Sequence, residues 1–222
     1  MAQPVSSPAF LVPTVLLYDW DNTLVDGWSA ITGALNAVFD AFSMPRWTDT
    51  DTRQRVRTSL RESFPPMFGP QWERARDLFY AALTERHLDD LRPLPDVLEV
   101  LRAGSRFPQG VVSNKTGAFL RREVTHLGWD VHFQTIIGAG DAAADKPAPD
   151  SILLALSRLG RAPDRSVWYL GDTASDMQAA RAAGVTAVLV GDASHDGGID
   201  NAAPDIHIPS AGLLAARLAL LA

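Results

Sequence analysis

The sequence predicts an α/β fold, a doubly wound parallel sheet with an inserted α-helical cap domain. Short, continuous apolar runs recur along the chain, and such runs are typical of strands that are buried on both faces of a parallel sheet. Stretches with helical character separate most of these runs, so that strand–helix units repeat. One long block, residues 28–93, contains only helix-like stretches and supplies the insertion.

The first strand is predicted at residues 15–18, a run of Val, Leu, Leu and Tyr that ends in polar residues. Residues 1–12 carry prolines and serines with little periodicity, so they are expected to form a flexible tail before folding begins near Pro13. A loop should follow the strand at Asp19.

The insertion begins with an amphipathic helix. From Trp28 onward, Ile31, Leu35, Val38 and Phe42 recur at spacings of four, three and four, which places them along one helix face.

Two further helices are predicted at 49–62 and 71–91, because the proline-rich stretch 64–70 between them should interrupt a helix. The sequence Arg-Pro-Leu-Pro at 92–95 then predicts a stiff, extended return. The expected division of the chain is a tail at 1–12, a catalytic core at 13–27 and 94–222, and a helical cap at 28–93.

The remainder of the chain alternates between the two kinds of element. Predicted strands lie near 111–112, 135–137, 167–170, 187–190 and 206. Predicted helices lie at 96–103, on a stretch that ends near 128, at 149–159, at 174–183 and from 211. In such sheets ligands bind beyond the carboxyl ends of the strands. The residues at those ends are therefore the candidates for function.

Composition narrows the possible partners. The chain has 222 residues, 46% of them hydrophobic, and a net charge of −6, so it offers nucleic acid no general electrostatic attraction. The lack of cysteine excludes disulfides, zinc-thiolate sites and thiol nucleophiles. The apolar run at 9–18 contains a proline, has no basic residue before it and is too short to span a bilayer, so cytoplasmic residence without a membrane partner is expected.

The first strand ends in Asp19-Trp20-Asp21-Asn22-Thr23. Side chains two apart on an extended chain point to the same side, so Asp19 and Asp21 can face one cavity. Two such carboxylates repel each other unless a cation lies between them, and Mg²⁺, which prefers oxygen ligands, satisfies that requirement. Taken alone, the same residues are more typical of an acidic turn, in which Asp or Asn caps the turn.

Two later strands end in groups suited to a phosphate. Ser113 and Asn114 follow the strand at 111–112, and a hydroxyl there can donate a hydrogen bond to a phosphate oxygen. Lys146 precedes a proline after the third strand. The chain has two lysines, Lys115 and Lys146, and each directly follows a strand-end motif, whereas arginine is its general cation. A compact ammonium can pair with a carboxylate and a phosphate oxygen together.

The fourth strand ends in Gly-Asp-Thr-Ala-Ser-Asp at 171–176. A spacing of four brings Asp172 and Asp176 together at the N-terminus of a helix, where acidic side chains are favoured. Helix capping by Asp172 is the simpler alternative. The joint arrangement favours function, because four strand-like runs each end in a group suited to a metal or a phosphate.

These four motifs, in this order, resemble the haloacid dehalogenase (HAD) superfamily, whose members have a Rossmann-like core. The helical insertion after the first motif is similar to the subclass with a helical cap. Within the superfamily, residues 19–26 and the Ser-Asn-Lys at 113–115 look most like phosphoglycolate phosphatases.

The resemblance implies a role for each motif residue. Asp19 would be the nucleophile that forms an aspartyl-phosphate, and Asp21 the general acid and then the general base. Thr23, Ser113, Asn114 and Lys146 would hold the phosphoryl group. The metal residues implied for Mg²⁺ are Asp19, Asp21 through its backbone carbonyl, Asp172 and, in a supporting role, Asp176.

The expected function is hydrolysis of a small phosphorylated metabolite, with phosphoglycolate, a sugar phosphate and a nucleotide monophosphate all open as substrates. Asp21 argues against dehalogenation, since a halide leaving group needs no proton. A sugar phosphomutase, a phospho-aspartate receiver module and a catalytically idle scaffold remain as alternatives. Both a monomer and a homodimer are compatible with the sequence.

The cap should close over the site and contact the substrate. Its candidate residues for a second anionic group or an apolar wall are Arg46, Arg53, Arg57, Arg61, Trp47, Phe64 and Trp72. The histidines, at positions 87, 126, 132, 195 and 207, show no ligand spacing and are interpreted as structural or surface residues.

Overall fold

The computed structural model describes residues 12–56, 60–86, 88–89 and 91–221. Its centre is a six-stranded sheet with the order β3-β2-β1-β4-β5-β6, in which all paired strands run parallel. The strands are β1 (Val15–Tyr18), β2 (Gln109–Thr116), β3 (Thr135–Ala139), β4 (Val167–Gly171), β5 (Thr186–Val190) and β6 (Ile206–Ile208). The predicted α/β fold with a doubly wound parallel sheet is therefore confirmed.

Ten α-helices accompany these strands in the described part of the chain. They are α1 (Gly27–Ala41), α2 (Asp49–Arg55), α3 (Leu60–Phe68), α4 (Trp72–Arg86), α5 (Val97–Ala103), α6 (Gly117–His126), α7 (Asp150–Arg158), α8 (Ala174–Ala182), α9 (Gly198–Ala202) and α10 (Ala211–Leu220). The short helix α9 has no counterpart in the prediction.

Apolar clusters cover both faces of the sheet. Along β1, Leu16 and Tyr18 join one cluster, and Val15 and Leu17 join the other. This period of two follows from the alternation of side chains along a strand. A strand that is buried on both faces explains why β1 reads as a continuous apolar run.

The register of the sheet brings the functional motifs to one edge. Tyr18, the last residue of β1, lies beside Val111 of β2 and Leu170 of β4. The residues that follow these positions therefore leave the sheet side by side. This arrangement places the first, second and fourth motifs around a common space.

Helices α1 to α4 form an all-helical segment with its own apolar cluster, which includes Leu35, Phe39, Phe64, Phe68 and Phe79. The chain leaves and re-enters the sheet layer through two adjacent stretches, residues 24–26 and 92–94. Leu94 N donates to Leu24 O at 3.0 Å, and Asp26 N donates to Arg92 O at 2.8 Å.

Three details of the predicted helical segment are wrong. The helix predicted at 49–62 ends at Arg55 as α2, and α3 runs through Pro65 and Pro66, where an interruption was expected. In α3, Phe64 and Phe68 are buried against α1 and α4, so tertiary packing overrides the helix-breaking tendency of the prolines. The helix predicted at 71–91 ends at Arg86.

The predicted flexible tail lies almost entirely outside the described residues, which begin at position 12. Among those residues, no helix combines the length and the apolar character needed to cross a bilayer.

Candidate active site

A cavity of about 820 Å³ opens at the carboxyl edge of the sheet. Its walls include residues from the ends of β1, β2 and β4, from the loop that carries Lys146, and from helices α1, α4, α6 and α8. Seven of the eight predicted site residues line it, namely Asp19, Asp21, Ser113, Asn114, Lys146, Asp172 and Asp176. The sheet thus brings together positions that are far apart in the sequence.

Three carboxylates meet at the floor of this cavity. One oxygen each from Asp19, Asp172 and Asp176 lies within 4.8 Å of the others, and all three residues are buried. Buried carboxylates at this spacing repel one another unless positive charge compensates them. A set of carboxylate oxygens is also the donor set that Mg²⁺ prefers, so the cluster fits a divalent cation.

Lys146 supplies part of the compensating charge. Its ammonium donates to Asp19 Oδ1 and to Asp176 Oδ1, both at 2.6 Å, and to the Tyr169 hydroxyl oxygen at 2.9 Å. The Lys146 side chain is only 4% exposed, so these contacts are made away from bulk water. One ammonium against three carboxylates leaves the cluster negative.

Asn114 holds the backbone of Lys146. Its Nδ2 donates to Lys146 O, and its Oδ1 accepts from Lys146 N, both at 2.9 Å. The amide therefore fixes the loop that directs the lysine into the cavity. Ser113 is buried beside it, and its hydroxyl oxygen accepts a hydrogen bond from Lys115 N at 3.2 Å.

Burial and neighbouring charges raise the pKa values of two carboxyl groups in the cluster and lower that of the third. Burial raises the pKa of Asp19 to about 7, with Asp176 and Asp172 adding to the rise and Lys146 opposing it. Burial also raises the pKa of Asp172. At Asp176 burial acts in the same sense, but the charge and hydrogen bond of Lys146 and the hydrogen bonds from Thr173 outweigh it and lower the pKa.

Asp176 has a structural task as well. Thr173 caps α8, and Asp176 Oδ2 accepts from Thr173 N at 3.0 Å and from Thr173 Oγ1 at 2.6 Å. A Cβ at Gly171 would lie 2.4 Å from Asp176 Cγ. The strand must therefore end in glycine for this carboxylate to reach the cluster.

Asp172 is held from two sides. Thr23 Oγ1 donates to Asp172 Oδ1 at 3.2 Å, and His195 Nε2 lies 3.1 Å from Asp172 Oδ2. Thr23 is the one predicted site residue that is absent from the cavity wall as described, and its hydroxyl instead contacts Asp172.

The carboxylate of Asp21 lies apart from the cluster. Its Oδ1 accepts from Lys115 Nζ at 2.8 Å, and the same ammonium contacts both oxygens of Glu123, at 2.9 and 2.7 Å. Burial alone would lower the pKa of Lys115, but the charges of Asp21 and Glu123 raise it above its ordinary value.

Comparison with known proteins places this arrangement in a family. The family model described as haloacid dehalogenase-like hydrolase matches residues 16–190, which include all eight site residues predicted from the sequence. The chain belongs to the haloacid dehalogenase-like hydrolase family.

Several proteins are similar to this chain over most of its length. A phosphoglycolate phosphatase of Xanthomonas campestris is 30% identical over 184 residues, covering 79% of this chain and 82% of that protein. One from Escherichia coli O157:H7 is 29% identical over 218 residues, covering 85% and 86%. The crystal structure of a putative phosphatase from Clostridium difficile has a TM-score of 0.80 at 16% identity, covering 93% and 99%, and shows the shared fold.

The helical segment of this family member contributes a largely apolar wall to the cavity. Ala30 of α1 and Tyr80, Leu83 and Thr84 of α4 line the cavity. Phe119 of α6 adds a second aromatic ring to the lining. None of these five residues was singled out from the sequence.

The cap residues proposed from the sequence lie elsewhere or are not described. Arg46 pairs with Asp40, Trp47 and Phe64 contact other rings of the helical segment, and Trp72 packs against the same apolar cluster. Arg53 pairs with Asp26 and lines a neighbouring cavity of about 390 Å³. Arg57 and the side chain of Arg61 lie outside the described residues.

His195, interpreted from the sequence as a structural or surface residue, has its ring beside Asp172 and packed edge-on against Trp28, so its contacts include one carboxylate of the cluster. It lies on a short 3₁₀ turn after β5, residues 194–196, and the absence of ligand spacing concealed it. Its position beyond a strand end was the signal that could have found it.

Proposed function

We propose that this chain is a magnesium-dependent phosphatase that hydrolyses a small phosphate monoester through an aspartyl-phosphate at Asp19. The observation that carries the proposal is the contact of Lys146 with Asp19 at 2.6 Å, on the floor of a cavity beside two further buried carboxylates. Family membership and the phosphatase relatives support the same reaction class.

The first step is transfer of the phosphoryl group to Asp19. A carboxylate oxygen of Asp19 attacks phosphorus, the ester P–O bond breaks, and Asp21 gives a proton to the departing alkoxide. Lys146 and the Ser113 hydroxyl hold the phosphoryl oxygens, and Asn114 fixes Lys146 and keeps one N–H for the ligand. Positioning and charge compensation are the main contributions that a protein makes to phosphoryl transfer.

The second step is hydrolysis. Asp21 now takes a proton from a water molecule, the resulting oxygen attacks phosphorus, and the bond from Asp19 to phosphorus breaks to give inorganic phosphate and free Asp19. Asp19, Asp172 and the backbone carbonyl of Asp21, with support from Asp176, would hold Mg²⁺, which would supply positive charge against the phosphate. Thr23 and His195 hold Asp172 for that role.

The substrate is proposed to be a small phosphorylated metabolite. Phosphoglycolate is the first candidate, because relatives with that name match most of this chain, and sugar phosphates and nucleotide monophosphates are the others. Residues 28–93 are proposed to act as a cap whose α4 contacts the organic part of the substrate. A cytoplasmic location, no nucleic-acid or membrane partner, and a monomer or homodimer remain predictions.

The alternatives differ in the fate of the phosphoryl group. A phosphomutase would return it to a sugar, a receiver module would keep it on aspartate, and an idle scaffold would never accept it. Asp21, as a general acid and base, favours the two enzymes over a receiver module or an idle scaffold, and the phosphatase relatives favour hydrolysis over the mutase, which uses the same pair of aspartates.

The test measures inorganic phosphate released from a panel of phosphate monoesters, including phosphoglycolate, in the presence of Mg²⁺. Wild-type protein should release phosphate, and Asp19→Asn should not. Asp77→Asn, on an exposed face of α4, is the matched control and should keep the activity. Release that Asp19→Asn leaves unchanged would refute the proposed mechanism.

A further inference from the structure

Glu123 is a buried carboxylate that the proposed function leaves without a task. It lies on α6 and is 1% exposed. A buried glutamate is unfavourable unless its oxygens have partners. Among the described residues, Glu123 contacts Trp20, which lies in the loop after β1, and Lys115, which contacts Asp21 of the same loop.

The partners of Glu123 form a closed chain of contacts. Trp20 Nε1 donates to Glu123 Oε2 at 2.6 Å, and Lys115 Nζ donates to both carboxylate oxygens. Lys115 in turn donates to Asp21 Oδ1 at 2.8 Å. Since Trp20 and Asp21 are adjacent in sequence, the loop is tied to α6 through both residues.

The apolar core holds Trp20 and Glu123 in place. The Trp20 ring is completely buried and packs edge-on against Trp129, with ring centroids 5.8 Å apart. Glu123 is therefore fixed by the core, and its two oxygens fix the Lys115 ammonium. Lys115, 20% exposed, reaches from this anchor to the cavity wall.

Asp21 needs such support, because its side chain is 33% exposed. Gly27 bounds it on another side, since a Cβ there would lie 3.0 Å from Asp21 Oδ1. The carboxyl group is thus confined between a backbone and an ammonium.

We propose that Lys115 and Glu123 are positioning residues for Asp21, which hold its Oδ1 so that Oδ2 exchanges the proton with the leaving group and water. This inference rests on the proposed function. In the first step the Oδ2–H bond breaks and the proton passes to the alkoxide; in the second step Oδ2 takes a proton from the attacking water.

The test uses a series of phosphate monoesters whose leaving groups range from a nitrophenolate, which needs no proton, to a primary alkoxide, which does. For Glu123→Gln and Lys115→Met, kcat/KM should fall about 10- to 100-fold for the alkyl ester and little for the nitrophenyl ester. Lys115→Arg, which keeps the charge, should restore part of the loss. A merely structural role would reduce all esters equally.

Two comparisons make the test decisive. Arg121 lies on the same helix as Glu123, and Arg121→Gln, which breaks an ion pair with Asp141 in the loop after β3, should leave every rate unchanged. In an Asp21→Asn background, Glu123→Gln should add no further dependence on the leaving group, because the residues act as a unit. If Lys115→Met does not fold, the isosteric Glu123→Gln carries the test.

The two possible failures are distinguishable. A wild-type protein that hydrolyses none of the esters contradicts the proposed function itself. An active wild type, combined with Glu123→Gln losing nothing or losing the same factor on every ester, overturns the positioning role alone.

Discussion

Lys146 Nζ donates a hydrogen bond to Asp19 Oδ1 at 2.6 Å, joining residues that are 127 positions apart in the sequence. The contact requires that the loop after β3 reach across to the end of β1, although β2 lies between these strands in the sheet. Asn114, near the end of β2, makes this possible because its side-chain amide forms two hydrogen bonds with the backbone of Lys146. Three neighbouring strand ends therefore cooperate to place one ammonium beside one carboxylate.

Replacement of Lys146 should affect both activity and stability. Lys146→Met is expected to lower kcat by about 10²- to 10³-fold, since the phosphoryl group and Asp19 lose a charged donor. It also leaves Asp19 and Asp176 without their cation, and breaking a buried pair costs about 3–5 kcal/mol of unfolding free energy. Phosphate-release assays and urea unfolding without Mg²⁺ measure the two effects.

Arg165→Met is the control for that experiment, because Arg165 pairs with Asp205 at a half-exposed site. It should cost no more than about 1 kcal/mol. Equal stability losses for the two variants, or full activity in Lys146→Met, would contradict the assigned role of the lysine.

Magnesium should stabilise the protein through the carboxylate cluster. At a Mg²⁺ concentration 100 times the dissociation constant, binding adds about 2.7 kcal/mol to the free energy of unfolding. Asp172→Asn should abolish this gain, yet make the metal-free protein no less stable, because it relieves repulsion among three crowded carboxylates. Thermal unfolding with Mg²⁺ and with a chelator checks both statements, and Asp77→Asn should respond as wild type does.

The α4 wall should select substrates by the size of their organic part. Tyr80 lines the cavity and is 52% exposed, so its loss should hardly affect folding. Tyr80→Ala is expected to lower kcat/KM about tenfold for a bulky aryl ester, the order expected for one lost apolar contact, and less for a two-carbon ester. Tyr80→Phe keeps the ring and should behave as wild type; a uniform loss in Tyr80→Ala would exclude a role in selectivity.

A methyl group at position 171 should disturb the site from within the core. In Gly171→Ala the new Cβ meets the Asp176 carboxylate, so the variant should lose about 1–3 kcal/mol of stability, the usual cost of overpacking. Its activity should fall together with its stability, because Asp176 and Lys146 are displaced. Denaturant unfolding measures the loss. An unchanged free energy of unfolding would show that the strand end is not tightly packed.

The sheet could be predicted because its strands are buried on both faces and end abruptly in polar residues. Val15–Tyr18 and Val167–Gly171 show this pattern, and their parallel register then fixes which side chains meet. The path of α3 could not be predicted, since the helix contains Pro65 and Pro66 and the buried phenylalanines beside them pack against residues distant in sequence.

The cluster residues lie at or after the ends of predicted strands, whereas Glu123 lies within a helix and lacks that sequence signal. Glu123 follows two arginines on an ordinary amphipathic helix, so nothing in its surroundings separates it from a surface residue. A weak signal was Trp20, whose indole N–H, placed between two aspartates in a buried loop, requires an acceptor. The identity of that acceptor depends on tertiary packing alone.

The most direct test of the account is detection of phosphate covalently bound to Asp19. An aryl phosphate, whose leaving group needs no proton, is mixed with the Asp21→Asn variant and Mg²⁺, quenched in acid and examined by peptide mass spectrometry. Because this variant lacks the base that activates water, one phosphoryl group should accumulate on Asp19. Wild-type turnover without any adduct in this variant, or an adduct on a different residue, would contradict it.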